Sequence, residues 1–163
     1  MPNAAIPDLH PDLRTISFLL GKWAGEGRGE YPTCAEFLYG EETTFSHVGK
    51  PFVAYTQRSW SLDDGRPLHV EMGYLKCPSP GRVDLVVAHP SGHAELSRGT
   101  ADASSLDLRS VEVLGASKAK EVTGLSRKLA VNGDELTYEL DMAAVGQPMT
   151  SHLRAVLKRV GGH

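Results

Sequence analysis

With 163 residues, 40% of them hydrophobic and 23% charged, the chain has the make-up of one globular domain able to build its own core or close into a barrel. A formal net charge of -3 and the lack of a long basic run argue against a nucleic-acid surface. Cys34 and Cys77 make no disulfide framework, which points to a reducing cytoplasm; MPNAAIPDLHPDLR lacks the basic start and apolar run of a signal peptide, and no stretch nears the roughly 18 apolar residues of a membrane span.

In chain order, residues 1–12 read as a loose N-terminal arm of a single domain spanning 1–163, with Pro2 and Pro7 breaking any regular pattern. Pro11 opens a short amphipathic segment in which Leu13, Ile16 and Leu20 recur at helical spacing, predicting a turn or two that lids or plugs the fold before Gly21. Strands are then predicted at about 22–31, 36–47, 51–61, 66–77, 82–89, 92–99, 105–114, 120–131, 134–143 and 149–160. Turn chemistry separates them: SHVGKP, LDDGR, CPSPGR, HPSGH and VNGDE. Asn132-Gly133 is the strongest of these signals, the dipeptide of a type I′ hairpin. After it, Leu136, Tyr138, Leu140 and Met142 alternate with Thr137, Glu139 and Asp141, as on a half-buried strand. Ten strands with short links and no helices between them favour an all-β, antiparallel up-and-down meander, closed so that no edge is exposed. A two-sheet sandwich with a solid core is the competing arrangement.

Two features stand out within this pattern. On the first strand Gly21, Trp23, Gly25, Gly27 and Gly29 share one face and Lys22, Ala24, Glu26, Arg28 and Glu30 the other. A bare strand face either admits a bulky ligand or lies beneath large side chains of neighbouring strands. The second feature is His152, in the middle of the last strand. Among seven histidines, His10 is in the arm, His163 is terminal, His89 and His93 flank a turn and read as surface residues, and His47 and His69 could line a pocket or its rim. A lone strand imidazole suits haem iron, which can take a single protein ligand, better than structural zinc, which needs about four. Alternation puts His152 with Arg154, Val156 and Lys158, opposite the apolar Leu153, Ala155 and Leu157. It therefore faces either solvent or a cavity, and the second requires mixed polar lining or a bulge.

GKWAGEGRG at 21–29 resembles the G-x-W-x-G-x-G signature of the nitrobindin family, also described as peroxynitrite isomerases. YPT at 31–33, FSHVGKPFVAYTQRSW at 45–60, HVEMGYL at 69–75, TGLSRKL at 123–129 and QPMTSHLRAVLKR at 147–159 extend the resemblance from about residue 15 to 160. It implies a ten-stranded antiparallel up-and-down barrel, lipocalin- or fatty-acid-binding-protein-like, with a short N-terminal helix. It implies one haem b per chain, mainly ferric and five-coordinate, with His152 as the only protein ligand to iron. Gly25, Gly27 and Gly29, on the face of Trp23, would leave room near the haem, and Thr33 would contact it. Lys128 is a candidate partner for a propionate, and Arg127 would serve equally, since alternation turns only one of the pair inward. The reaction implied is isomerisation of peroxynitrite to nitrate, with nitric oxide as a further ligand and a homodimer as the assembly. A non-catalytic carrier of haem or an apolar molecule, or a nitric oxide sensor, would use the same barrel.

Overall fold

The computed structural model describes residues 4–161. A 3₁₀ helix, Pro11–Leu19, precedes ten strands: β1 Gly21–Tyr31, β2 Cys34–Ser46, β3 Val53–Ser61, β4 Pro67–Ser79, β5 Arg82–His89, β6 His93–Ala101, β7 Ser105–Gly115, β8 Val122–Asn132, β9 Glu135–Ala144 and β10 Thr150–Gly161. Every predicted strand is present, with ends displaced by no more than two residues. Consecutive strands pair antiparallel, and β1 pairs with β10 to close the barrel. Closure leaves no strand edge unpaired, and the sandwich alternative falls with it. The β8–β9 hairpin turns one residue later than Asn132-Gly133 predicts. Asn132 pairs with Glu135, Gly133 takes φ 62°, and Asp134 keeps a negative φ, which is the glycine-first order of a type II′ turn.

The barrel has one filled end and one hollow end. In the helix, Leu13, Ile16 and Leu19 are fully buried, and their spacing of three is the repeat of a 3₁₀ rather than an α-helix. Pro11 sits at its first position, and the His10 ring accepts the Asp12 backbone N–H as a cap. The buried stripe meets Trp23, Phe45, Val53, Leu75, Val83 and Leu157, which come from strand ends gathered at the same mouth of the barrel. Trp23 Nε1 donates to the Leu19 carbonyl at 2.8 Å, and the Arg159 guanidinium lies 4.1 Å from the centre of its ring system. The helix is thus a plug seated on the core.

Candidate functional site

Away from the plug, the barrel encloses a cavity of about 950 Å³, near the upper end of the usual range for small-molecule sites. Its apolar wall includes Phe37, Leu125, Leu129, Leu140 and Leu153. Tyr31, Thr33, His69, His89, Val145 and His152 lie nearer the open end, where β1, β3, β5, β7 and β9 finish and β10 begins.

His152 reaches this cavity through a β-bulge. The β9–β10 register shifts between Ser151, opposite Asp141, and Leu153, opposite Leu140. That extra residue lets His152 and Leu153, adjacent in sequence, both line the cavity, while Ala155 and Leu157 keep the inner face beyond them. The β1–β10 ladder ends at Gly29 and Leu153, so the next backbone group on β1, the Glu30 carbonyl, has no strand partner on β10. His152 Nδ1 takes that place at 2.9 Å. A carbonyl oxygen can only accept, so Nδ1 carries the hydrogen and the neutral ring keeps its lone pair on Nε2. Edge-on contacts with Tyr31 and Phe37, at 5.4 and 6.5 Å between ring centres, set the plane of the imidazole. Tyr31 is anchored in turn, its hydroxyl donating to the Met142 carbonyl and accepting the Ala144 N–H, both at 3.0 Å.

The other residues singled out from sequence divide between cavity, plug and outer wall. Thr33, in the β1–β2 turn, is exposed and borders the cavity. Gly25, Gly27, Gly29 and Trp23 do not line it. A Cβ on Gly27 would fall 2.3 Å from the Tyr39 ring, one on Gly29 2.1 Å from the Phe37 ring, and one on Gly25 2.2 Å from the Val156 carbonyl oxygen. The bare face therefore lies beneath neighbouring side chains and a close-approaching strand, the alternative left open above. Lys128 is exposed on the outer wall, whereas Arg127 points inward and is buried. His47 follows β2 at the plugged end, its Nδ1 accepting the Gly49 N–H, and takes no part in the cavity; His69 lines it. His89 is not a surface residue. It ends β5 on the inner face, with its side chain 8% exposed. His93, half-buried, borders the cavity and bonds to Ser91 Oγ and the Lys120 carbonyl.

Sequence reading missed the polar half of the interior. Arg127 bonds to Glu71 through Nη1 at 3.1 Å and to Glu95 through Nη2 at 2.7 Å. Burial alone would raise the Glu71 carboxyl, but the Arg127 guanidinium and the facing imidazoles outweigh it and hold it far below the usual carboxylate range. The same contest leaves Glu95 at about 2, with Arg127, His89 and Ser97 opposing the effect of burial. Arg127 is raised well above its ordinary value, the two carboxylates overcoming desolvation. Glu41 has no cation beside it, so burial raises its carboxyl although Tyr138, Thr43 and Gln57 all donate to it. Tyr39 and Tyr138 share a hydroxyl–hydroxyl bond of 2.7 Å beside this group. These side chains come from β2, β3, β4, β6, β8 and β9, and only the register of the barrel brings them together. The available signal was the run of alternate polar residues on the inner faces: Glu41 and Thr43 on β2, Gln57, Ser59 and Ser61 on β3, and Glu95 and Ser97 on β6.

A plugged ten-stranded meander with an interior cavity, and an imidazole of fixed tautomer in the cavity wall, defines a ligand-binding β-barrel whose donor set suits a haem. The family model described as "THAP4-like, heme-binding beta-barrel domain" matches residues 12–159, and the chain belongs to that family, in agreement with the nitrobindin resemblance. A relative from Mycolicibacterium paratuberculosis named peroxynitrite isomerase 1 is 51% identical over 156 residues, covering 93% of this chain and 97% of its own. A Mycobacterium tuberculosis protein of the same name is 52% identical over 159 residues, with the same coverage. The crystal structure of Rv2717c from M. tuberculosis superposes with a TM-score of 0.88 at 49% identity, over 94% of this chain and 99% of that one. Among the described residues no helix is long and apolar enough to cross a membrane, and Cys34 and Cys77 are free thiols.

Proposed function

We propose that the cavity holds one haem b with His152 as the protein ligand to its iron, and that the protein isomerises peroxynitrite to nitrate. The observation that carries this reading is the His152 Nδ1–Glu30 carbonyl bond, which leaves Nε2 as a lone-pair donor on a ring lining the cavity. Ligating histidines commonly hold their second ring nitrogen in this way, which fixes the ring and raises its basicity. When bound, ferric haem supplies a Lewis-acidic iron with an open position for peroxynitrite, and in the ferrous state it binds nitric oxide. The chain supplies the rest. Tyr31 and Phe37 hold the imidazole plane, Leu125, Leu129, Leu140 and Leu153 would give a bound haem an apolar wall that excludes water, and the plugged end closes the cavity from behind. Arg66, Lys118 and Lys120 border the cavity, so they replace Lys128 as partners for the propionates, with Thr33 beside them.

Hemin titrated into the full-length protein should give a saturable Soret band at one equivalent, and His152→Ala should shift that band and weaken uptake by at least tenfold. An unchanged spectrum in the variant would remove His152 from the iron. Stopped-flow decay of peroxynitrite, with nitrate yield measured alongside, tests the reaction. Decay no faster than with the same concentration of free hemin would leave a carrier and not a catalyst.

A further inference from the structure

A second set of metal-binding atoms lies in the barrel wall across from β10 and is unused by the haem reading. His69 and Glu71 on β4 and His89 on β5 each offer one ligand atom to a common point. His69 Nε2 is 3.3 Å from Glu71 Oε1 and 3.3 Å from His89 Nδ1, and His89 Nδ1 is 3.6 Å from Glu71 Oε1. A single ion with ligands at about 2.0–2.2 Å in tetrahedral array sets those ligands roughly 3.3–3.6 Å apart. The three atoms thus already form one face of such a site.

The hydrogen bonding around the triangle leaves two acceptors, Glu71 Oε1 and His89 Nδ1, facing His69 Nε2, whose hydrogen a bound ion would replace. Glu95 already accepts from Arg127 and from Ser97. Its contact with His89 Nε2, at 3.0 Å, therefore puts the hydrogen on Nε2 and leaves the Nδ1 of a neutral His89 as an acceptor facing His69 and Glu71. A carboxylate behind a ligating histidine is the usual outer arrangement of a metal site. Charge points the same way. Glu71 and Glu95 bring two carboxylates to the cluster against the single guanidinium of Arg127. His69 is 34% exposed and lines the cavity, which leaves the fourth position open to solvent or a ligand. Two imidazoles and one carboxylate select a transition ion over calcium or magnesium.

We propose that His69, Glu71 and His89 bind one divalent transition ion of the zinc class, with Glu95 as the positioning carboxylate behind His89. The site lines the same cavity as His152 but shares no ligand with it.

The test is titration of haem-free, full-length protein with CoCl2, followed by visible ligand-field absorption and by displacement with ZnSO4. One cobalt per chain, with the intense bands of a four- or five-coordinate ion, is expected. His69→Ala removes a partly exposed side chain and should abolish the bands while the thermal melt and far-UV circular dichroism stay native. Glu95→Gln should weaken affinity about 10–100-fold. His152→Ala should bind cobalt like the unaltered protein, although it loses the hemin spectrum, so the two readings fail separately. Lack of saturable uptake overturns the proposal. Uptake indifferent to His69→Ala, or lost in His152→Ala, overturns it by placing the ion elsewhere.

Discussion

Arg127 is the residue on which the interior electrostatics turn. Its guanidinium is the only cation bonded to Glu71 and Glu95 among the described residues, and removing it strands two buried carboxylates. Arg127→Leu should cost about 3–5 kcal/mol at neutral pH, the usual result of breaking a buried pair from one side. The sign of the pH dependence should invert as well. In the unaltered protein both carboxyls titrate below their unfolded value near 4.5, so their contribution is full above that pH and is lost as pH falls toward about 2 for Glu95. Without the guanidinium, burial dominates and both carboxyls rise. That change stabilises the fold as pH drops from 7 toward 5. Urea denaturation midpoints measured at pH 7, 6 and 5 should stay level in the unaltered protein and climb in Arg127→Leu. A parallel profile for the two proteins would show that Arg127 is not what ionises the pair. Glu41 already behaves as the variant should, its carboxyl raised by burial with no cation near, so Glu41→Gln should gain stability at neutral pH and lose that gain as pH falls through the raised value toward 4.5.

At the scale of the strands, the glycines of β1 do different work at successive positions. Beside Gly25 stand backbone atoms of β10, the Val156 carbonyl oxygen and the Leu157 Cα, in the ladder that closes the barrel. The nearest atoms beside Gly29 belong to the tip of the Phe37 ring, which can swing aside into the cavity. Gly25→Ala should therefore lower stability by about 2 kcal/mol or more, because backbone cannot yield without breaking the ladder, and should leave the hemin-binding stoichiometry of the folded fraction intact. Gly29→Ala should cost less in a urea melt but weaken hemin uptake, since the displaced ring moves beside His152. Equal melts for the two would refute the distinction. The same strands show what sequence can reveal. Alternation and turn residues located all ten, because half-buried strands must alternate and short links must use glycine, proline, asparagine or aspartate. Alternation alone left His152 between solvent and cavity, since a bulge leaves little compositional trace, and only the family resemblance turned it inward. His89 misled for a related reason: flanking a turn suggests exposure, yet the last residue of β5 still points inward. The cluster of His69, Glu71, His89, Glu95 and Arg127 spans four strands and is visible only once register is known.

Across the whole molecule, stability and binding are assigned to opposite ends of one barrel. The plug end is filled by Leu13, Ile16, Leu19, Trp23 and the strand residues around them, while the His152 end is hollow. Stability should then come mainly from the first and ligand response from the second, with little coupling between them. Ile16 is fully buried in the plug and does not itself line the cavity, so Ile16→Ala should cost about 2–5 kcal/mol by leaving a void among Leu13, Leu19 and their neighbours. Hemin bound only to the folded state stabilises it by about 2.7 kcal/mol at 100 times its dissociation constant, whatever the starting stability. The hemin-induced increment should accordingly be the same in Ile16→Ala as in the unaltered protein, since changes at separate sites add. In His152→Ala the ligand-free melt should stay near that of the unaltered protein, because the side chain is only half-buried at the open end, while the increment at equal hemin concentration should collapse. Two urea melts on each protein, one with and one without hemin, read both quantities. An increment that shrinks in Ile16→Ala would mean that the plug and the cavity move as one unit, with the helix shaping the binding site it closes from behind.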